Sequence, residues 1–119
     1  MTIIYRNKKI EKVCKNVKEA IKKYGNEVAK KLYATLNIIE ASKNLKDLLG
    51  FPQYNLHALK GDLDGIYSIY LGKKSGYRLL VIPLDENKKH IICNDMSIYV
   101  VAVCVEILEV SKHYEWWNN

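Results

Sequence analysis

The sequence predicts an α+β domain in which a small, mainly antiparallel sheet packs against an N-terminal helix hairpin, in the order β-α-α-β-β-β. Three observations carry this prediction. Apolar residues recur at helical spacing over 10–21 and again over 28–39. Two runs rich in β-branched and aromatic residues, 66–71 and 77–82, are split by a Gly/Lys/Ser turn. A long run from Tyr99 to Val110 is apolar on both faces. At 119 residues and 13.8 kDa, the chain has room for one compact core and one domain, 1–119. Its 49% hydrophobic and 27% charged content excludes a disordered chain, and two prolines with six glycines exclude a collagen-like one.

Thr2 to Arg6 reads as a short strand. Asn7 then caps a helix whose stripe is Ile10, Val13, Cys14, Val17, Ala20 and Ile21, at the 3, 4, 7 spacing of one helical face. Lys8, Lys12, Lys15, Lys18 and Lys22 fill the other faces. Tyr24-Gly25-Asn26 supplies a stop and a restart, and a second helix runs from near Glu27 to Ser42, burying Val28, Leu32, Leu36 and Ile39 with Ala29 and Tyr33 beside them. Asn44 to Leu49 adds a helical turn, ended by Gly50-Phe51-Pro52, because proline disfavours helical geometry in the residue before it. Ile66 to Leu71, the turn Gly72 to Gly76 and Tyr77 to Ile82 form a β-hairpin. Ile91-Ile92-Cys93 is a candidate short extra strand in a polar stretch, and Tyr99 to Val110 is expected to be the central strand.

The longest apolar stretch, Ile98 to Val105, falls far short of the roughly 18 residues that span a bilayer, and no signal-peptide pattern opens the sequence. A cytoplasmic protein without membrane contact is expected. Cys14, Cys93 and Cys104 are an odd set without a C-x-x-C pair, so neither a disulfide framework nor a zinc site is indicated; Cys14 and Cys104 read as buried thiols. No cofactor is expected. Residues 1–60 carry 13 Lys/Arg against 5 Asp/Glu, whereas residues 61–119 carry 6 against 8, so the excess positive charge is N-terminal. Seventeen of the 19 cations are lysine, which gives diffuse, hydrated charge rather than bidentate forks. Such a face attracts nucleic acid in a salt-dependent way, and it also keeps a domain soluble.

His57 lies ahead of the hairpin and His113 just past the last strand, and imidazole is the side chain suited to proton transfer near neutral pH. His90 reads as an ordinary surface residue. The segment L-H-A-L-K-G-D-L-D-G-I-Y-S-I over 56–69, the hairpin strand with Y-R-L at 77–79 and a valine-rich last strand ending near His113-Tyr114 together resemble the RelE/ParE superfamily of bacterial toxins, most closely its HigB branch. The resemblance covers most of the chain, since the element order is also that family's arrangement, giving a RelE-like fold. It implies a ribosome-dependent, metal-independent mRNA endonuclease of a type II toxin–antitoxin system, neutralised by a cognate helix-turn-helix antitoxin in a hetero-oligomer. It further implies that His57 is the loop histidine, Lys60 the lysine of the L-K-G motif and Arg78 the hairpin arginine. The HigB strand ending, an acid followed directly by Tyr-His, differs here: Glu109 stands four residues before a reversed His113-Tyr114 pair.

RNA brings its own nucleophile, the 2′-hydroxyl. Cleavage without metal needs a base for that proton, an acid for the leaving 5′-oxygen and cations around the phosphorane. In this reading His57 and His113 divide the acid and base roles, Arg78 contacts the scissile phosphate, and Lys60 holds that phosphate or its neighbour. Tyr67 or Tyr114 stacks on a base, and Lys12 and Lys15 on the first helix belong to the RNA-binding basic face. Alternatives remain open: an ion pair from Arg78 to Glu106 across the sheet, core packing for Tyr67 and Tyr77, and Trp116-Trp117 either folded back or meeting antitoxin or ribosome. At the level of function, the alternatives are a ParE-like, non-enzymatic gyrase poison and an inactive RNA-binding relic of the fold.

Overall fold

Two asparagines start the first two helices. Asn7 Oδ1 accepts the Ile10 amide at 3.0 Å, and Asn16 Oδ1 accepts the Glu19 amide at 3.3 Å, each satisfying an amide that the first helical turn leaves without a partner. The computed structural model describes residues 1–92 and 95–112. Its elements are β1 (Thr2–Tyr5), α1 (Lys8–Lys15), α2 (Val17–Tyr24), α3 (Asn26–Ala41), β2 (His57–Ala58), β3 (Tyr67–Tyr70), β4 (Arg78–Leu84), α4 (Ile98–Val101) and β5 (Cys104–Ser111). Short 3₁₀ turns occupy Leu45–Gly50, Pro52–Tyr54 and Gly61–Leu63. The result is an α+β fold around one five-stranded mixed sheet.

The single first helix read from the sequence is therefore two. Asn16 takes an extended backbone (φ −125°, ψ 106°) and caps α2, and the break turns the apolar stripe. Ile10, Val13, Cys14 and Ala20 stay buried, but Val17 and Ile21 are left 54% and 37% exposed. Gly25, at φ +89°, makes the next corner, and α3 buries Val28, Ala29, Leu32, Leu36 and Ile39 as the spacing predicts. The Tyr33 hydroxyl donates to the Val13 carbonyl at 2.7 Å, tying α3 to α1. The Met1 amino group donates to the carbonyls of Ile39, Glu40 and Ser42, which fastens the end of α3 to β1.

The strand order is β1-β5-β4-β3-β2. β1 runs parallel to β5, and every other neighbouring pair is antiparallel. One face carries Tyr67, Ile69, Leu79, Val81, Val105 and Ile107 and packs against the helices. The other carries a smaller cluster of Leu80, Ile82, Leu84, Cys104 and Leu108, covered by Leu59, Leu63 and Ile66 from the segment after β2. Leu80 pairs with Glu109 and Val81 with Ile107, so Leu108 is an extra residue that bulges β5.

Three further expectations are corrected. The last strand starts at Cys104, not Tyr99, because its partner β4 ends at Leu84, which pairs with Cys104. Residues 98–101 instead close a helical turn behind Asp95, whose carboxylate accepts the Ser97 amide and hydroxyl at 2.9 and 2.5 Å; those bonds hold the Asp95 carboxyl below its usual range. Ile91 and Ile92 form no strand, and Ile92 is 99% exposed; Cys93 lies outside the described residues. Arg78 is not paired across the sheet with Glu106: it stands opposite Ser111, while Glu106 is opposite Ile82 and reaches Arg6 at 3.9 Å.

Leu32 is fully buried between the helices and the sheet. Leu32→Ala is expected to lower stability by about 2–5 kcal/mol, seen as a lower urea midpoint with an unchanged slope. Burial also pushes the Cys14 thiol from 9.0, and the Tyr5 and Tyr24 phenols from 10.0, up to about 12. Between those values the folded chain keeps protons that the unfolded chain has released. Stability should hold below about pH 9 and fall steadily as pH rises towards 12, a loss that denaturant titrations at stepped alkaline pH would measure.

Candidate functional site

β2 is an edge strand of two residues, with His57 opposite Ser68 and Ala58 opposite Tyr67. β3 in turn sets Ser68 opposite Leu80 and Tyr70 opposite Arg78. Directly opposed residues share a face of a sheet, as do alternate residues along a strand. His57, Tyr70 and Arg78 therefore stand on the face turned away from the helices. The Arg78 Cζ atom lies 3.6 Å from the centre of the Tyr70 ring, and the His57 ring meets the same tyrosine edge-on at 6.4 Å between centres. Tyr70 is the plate that holds imidazole and guanidinium in one row.

Each end of the row is fixed by a backbone carbonyl. His57 Nδ1–H donates to the Asn55 carbonyl at 2.7 Å, and Asn55 adopts a left-handed conformation (φ 43°, ψ 48°) after the Pro52–Tyr54 turn. A carbonyl oxygen only accepts, so Nδ1 must carry a proton, and Nε2 is the nitrogen that gains or gives one. Arg78 Nη1 donates to the Tyr77 carbonyl at 2.9 Å. The guanidinium is planar and stacked on a ring, and a planar fork of this kind matches the geometry of phosphate oxygens. No protein-family model and no curated protein matches this chain.

Lys60 is exposed at the start of the Gly61–Leu63 turn, on the segment that leaves β2, and the Leu59 amide bonded to the Ile66 carbonyl at 2.9 Å closes that loop. Tyr67, one of the two rings offered for stacking on RNA, is corrected in that role and takes the core placement read for it as a strand tyrosine. It is 6% exposed on the helix-facing side and packs edge-on against Tyr99 at 5.9 Å. Lys12 and Lys15 are not brought to the row. They lie on α1, which packs against β1 and β5 at the far side of the sheet from β2. Lys15 pairs there with Glu11 at 3.0 Å and stands over Tyr5, and Lys12 approaches Glu19 at 3.8 Å. His113, Tyr114, Trp116 and Trp117 lie outside the described residues.

Tyr70 and Asn55 are the two residues that the sequence reading missed. A signal for Tyr70 was present: Tyr67 alternates with Ile69 and Leu71, so Tyr70, three residues from Tyr67, belongs to the opposite face. Among the described residues no group of three or more His, Cys, Asp or Glu side chains is placed to hold a metal ion, and no helix is long and apolar enough to cross a membrane. In nitrogen-15 spectra of the imidazole, neutral His57 should be the Nδ1–H tautomer. The opposite tautomer would contradict the Asn55 anchor.

Proposed function

We propose that this protein is the toxin of a type II toxin–antitoxin system, a HigB-like member of the RelE/ParE superfamily that cuts mRNA on the ribosome in the cytoplasm and is held inactive by a cognate antitoxin. The observation that carries the reading is the fixed row of His57, Tyr70 and Arg78 on the face of the sheet away from the helices. Two further features support it: the L-H-x-L-K-G-D segment that supplies His57 and Lys60, and an element order that contains the implied β-α-α-β-β-β with additions, a split first helix, the two-residue strand β2 and the short α4.

In this reading the chemistry belongs to the RNA and to two proton-transfer groups. One group takes the 2′-hydroxyl proton as that oxygen attacks phosphorus, and the other gives a proton to the departing 5′-oxygen, leaving a 2′,3′-cyclic phosphate. His57 is one of the two, through Nε2. The second is assigned to the His113-Tyr114 pair. The Arg78 guanidinium faces the phosphate oxygens as charge builds on them, and Lys60 adds a cation along the backbone. The ribosome presents the strand, so the protein itself needs little sequence-reading surface.

In a translating extract the protein should cut a reporter mRNA, with cut sites mapped by primer extension. His57→Ala should lower the cleavage rate by about 100-fold or more. Arg78→Lys, which keeps charge but loses the planar fork stacked on Tyr70, should lower it by roughly tenfold. Uncut mRNA with gyrase trapped on broken DNA would favour the non-enzymatic poison, and neither effect would leave an inactive binding module.

A further inference from the structure

Beside the row, a cleft of about 630 Å³ opens between α3 and the Pro52–Tyr54 turn, bordered by Lys31, Tyr54, Asn55, Tyr70, Gly72 and Lys73. Two of these residues touch the row as well: Asn55, whose carbonyl accepts the hydrogen bond from His57 Nδ1–H, and Tyr70, which carries Arg78. Cleft and row are therefore continuous. No acidic residue borders the cleft, and neither Lys31 nor Lys73 makes an ion pair among the described residues. The contrast with Lys12 and Lys15, each beside its own glutamate, is direct.

The position of Lys31 depends on a glycine. Gly72 has φ +87°, and a Cβ there would lie 2.6 Å from Lys31 Cδ. The bare backbone lets the lysine stem lie across the turn, and a side chain at 72 would displace it as well as strain the turn. Two cations without a counter-charge among the described residues, next to tyrosines and in a space of ligand size, fit a ligand that is both anionic and planar. A bare phosphate needs no such volume, and a peptide of acidic residues offers a tyrosine no aromatic ring to stack on. One unit of single-stranded nucleic acid offers both, since its phosphate pairs with lysine and its base stacks on an aromatic ring.

We infer that this cleft is a subsite for one nucleotide of the RNA strand next to the cut, with Lys31 and Lys73 on its phosphate and Tyr54 against its base. This rests on the reading of the protein as an mRNA-cutting enzyme and adds where the strand lies. Arg78 covers the face of the Tyr70 ring at 3.6 Å, whereas Tyr54 meets Phe51 only at a tilt, 5.8 Å between ring centres, so Tyr54 is the ring assigned to stacking.

The test uses the full chain and a fluorescent, uncleavable 2′-O-methyl RNA hexamer, followed by anisotropy over a range of salt. Replacing both lysines, Lys31→Gln with Lys73→Gln, keeps the stems and is expected to weaken binding at least tenfold and to flatten the salt slope by about 1.4. Tyr54→Leu should weaken binding by roughly tenfold with the slope unchanged. The control Lys18→Gln with Lys22→Gln removes the same charge from exposed positions on α2 and should change binding by less than about threefold. Equal loss in the control would mean diffuse attraction and would overturn the subsite, as would a wild-type chain that does not bind the hexamer. Tetraglutamate binding as tightly as RNA, with Tyr54→Leu without effect, would overturn it in favour of an acidic peptide. If Tyr54→Leu fails to fold, the lysine pair decides alone. A hexamer held in the cleft with mRNA left uncut in extract would sink the nuclease reading and leave the subsite. Cleavage and binding both unchanged in the Lys31/Lys73 variant would do the reverse.

Discussion

The pairing of β3 with β4 sets Tyr70 against Arg78, and the same register carries His57 to Ser68 through β2. Side chains alternate strictly across a sheet, so a one-residue slip of β3 would send Tyr70 into the helix-facing core and bring Tyr67 out, and a slip of β4 would do the same to Arg78 and Leu79. The core forbids that slip. Tyr67, Ile69, Leu79 and Val81 are all buried on one face, and exposing them while burying a guanidinium would be costly twice over. Hydrophobic burial on one side of the sheet thus fixes the polar geometry of the other.

The two faces also differ in how they hold their residues. On the helix side, shape and area dominate, with Leu32, Ile39, Leu45, Leu48 and Ile107 wholly out of water. On the other side the small cluster under Leu59, Leu63 and Ile66 ends before the row, and directed contacts take over. A guanidinium over a ring contributes about 0.5–2 kcal/mol depending on how dry it is, and a hydrogen bond to a carbonyl about 1 kcal/mol. Such contacts add little to global stability. Their effect is to restrict rotamers, as the proposed meeting of these groups with a phosphate would require.

How much was legible in the sequence follows from which features are local. The α3 stripe, the corner at Gly25, the hairpin around 72–76 and the apolar run of β5 rest on nearby residues, and periodicity finds them. The break at Asn16 is also local, since Asn16 and Glu19 have the spacing of a cap, but the apolar spacing continues straight through it and hides it. The start of β5 is not local. Tyr99, Val100 and Val101 have strand character, and only the length of β4 says that nothing is there to pair with them. The same holds for the row: residue chemistry singled out His57 and Arg78, whereas Tyr70 joins them only through register, and the Asn55 anchor depends on a turn no motif describes.

One feature of the sheet bears on how the molecule is made. Thr2 meets Cys104 in the parallel pair of β1 and β5, so β1 is synthesised long before its partner and waits for it. The meander from β2 to β4 needs only neighbours already translated, and it holds the imidazole, the phenol and the guanidinium. A nascent chain leaving the ribosome can thus arrange its chemical groups early, while β4 keeps an open hydrogen-bonding edge until β5 emerges to fill it.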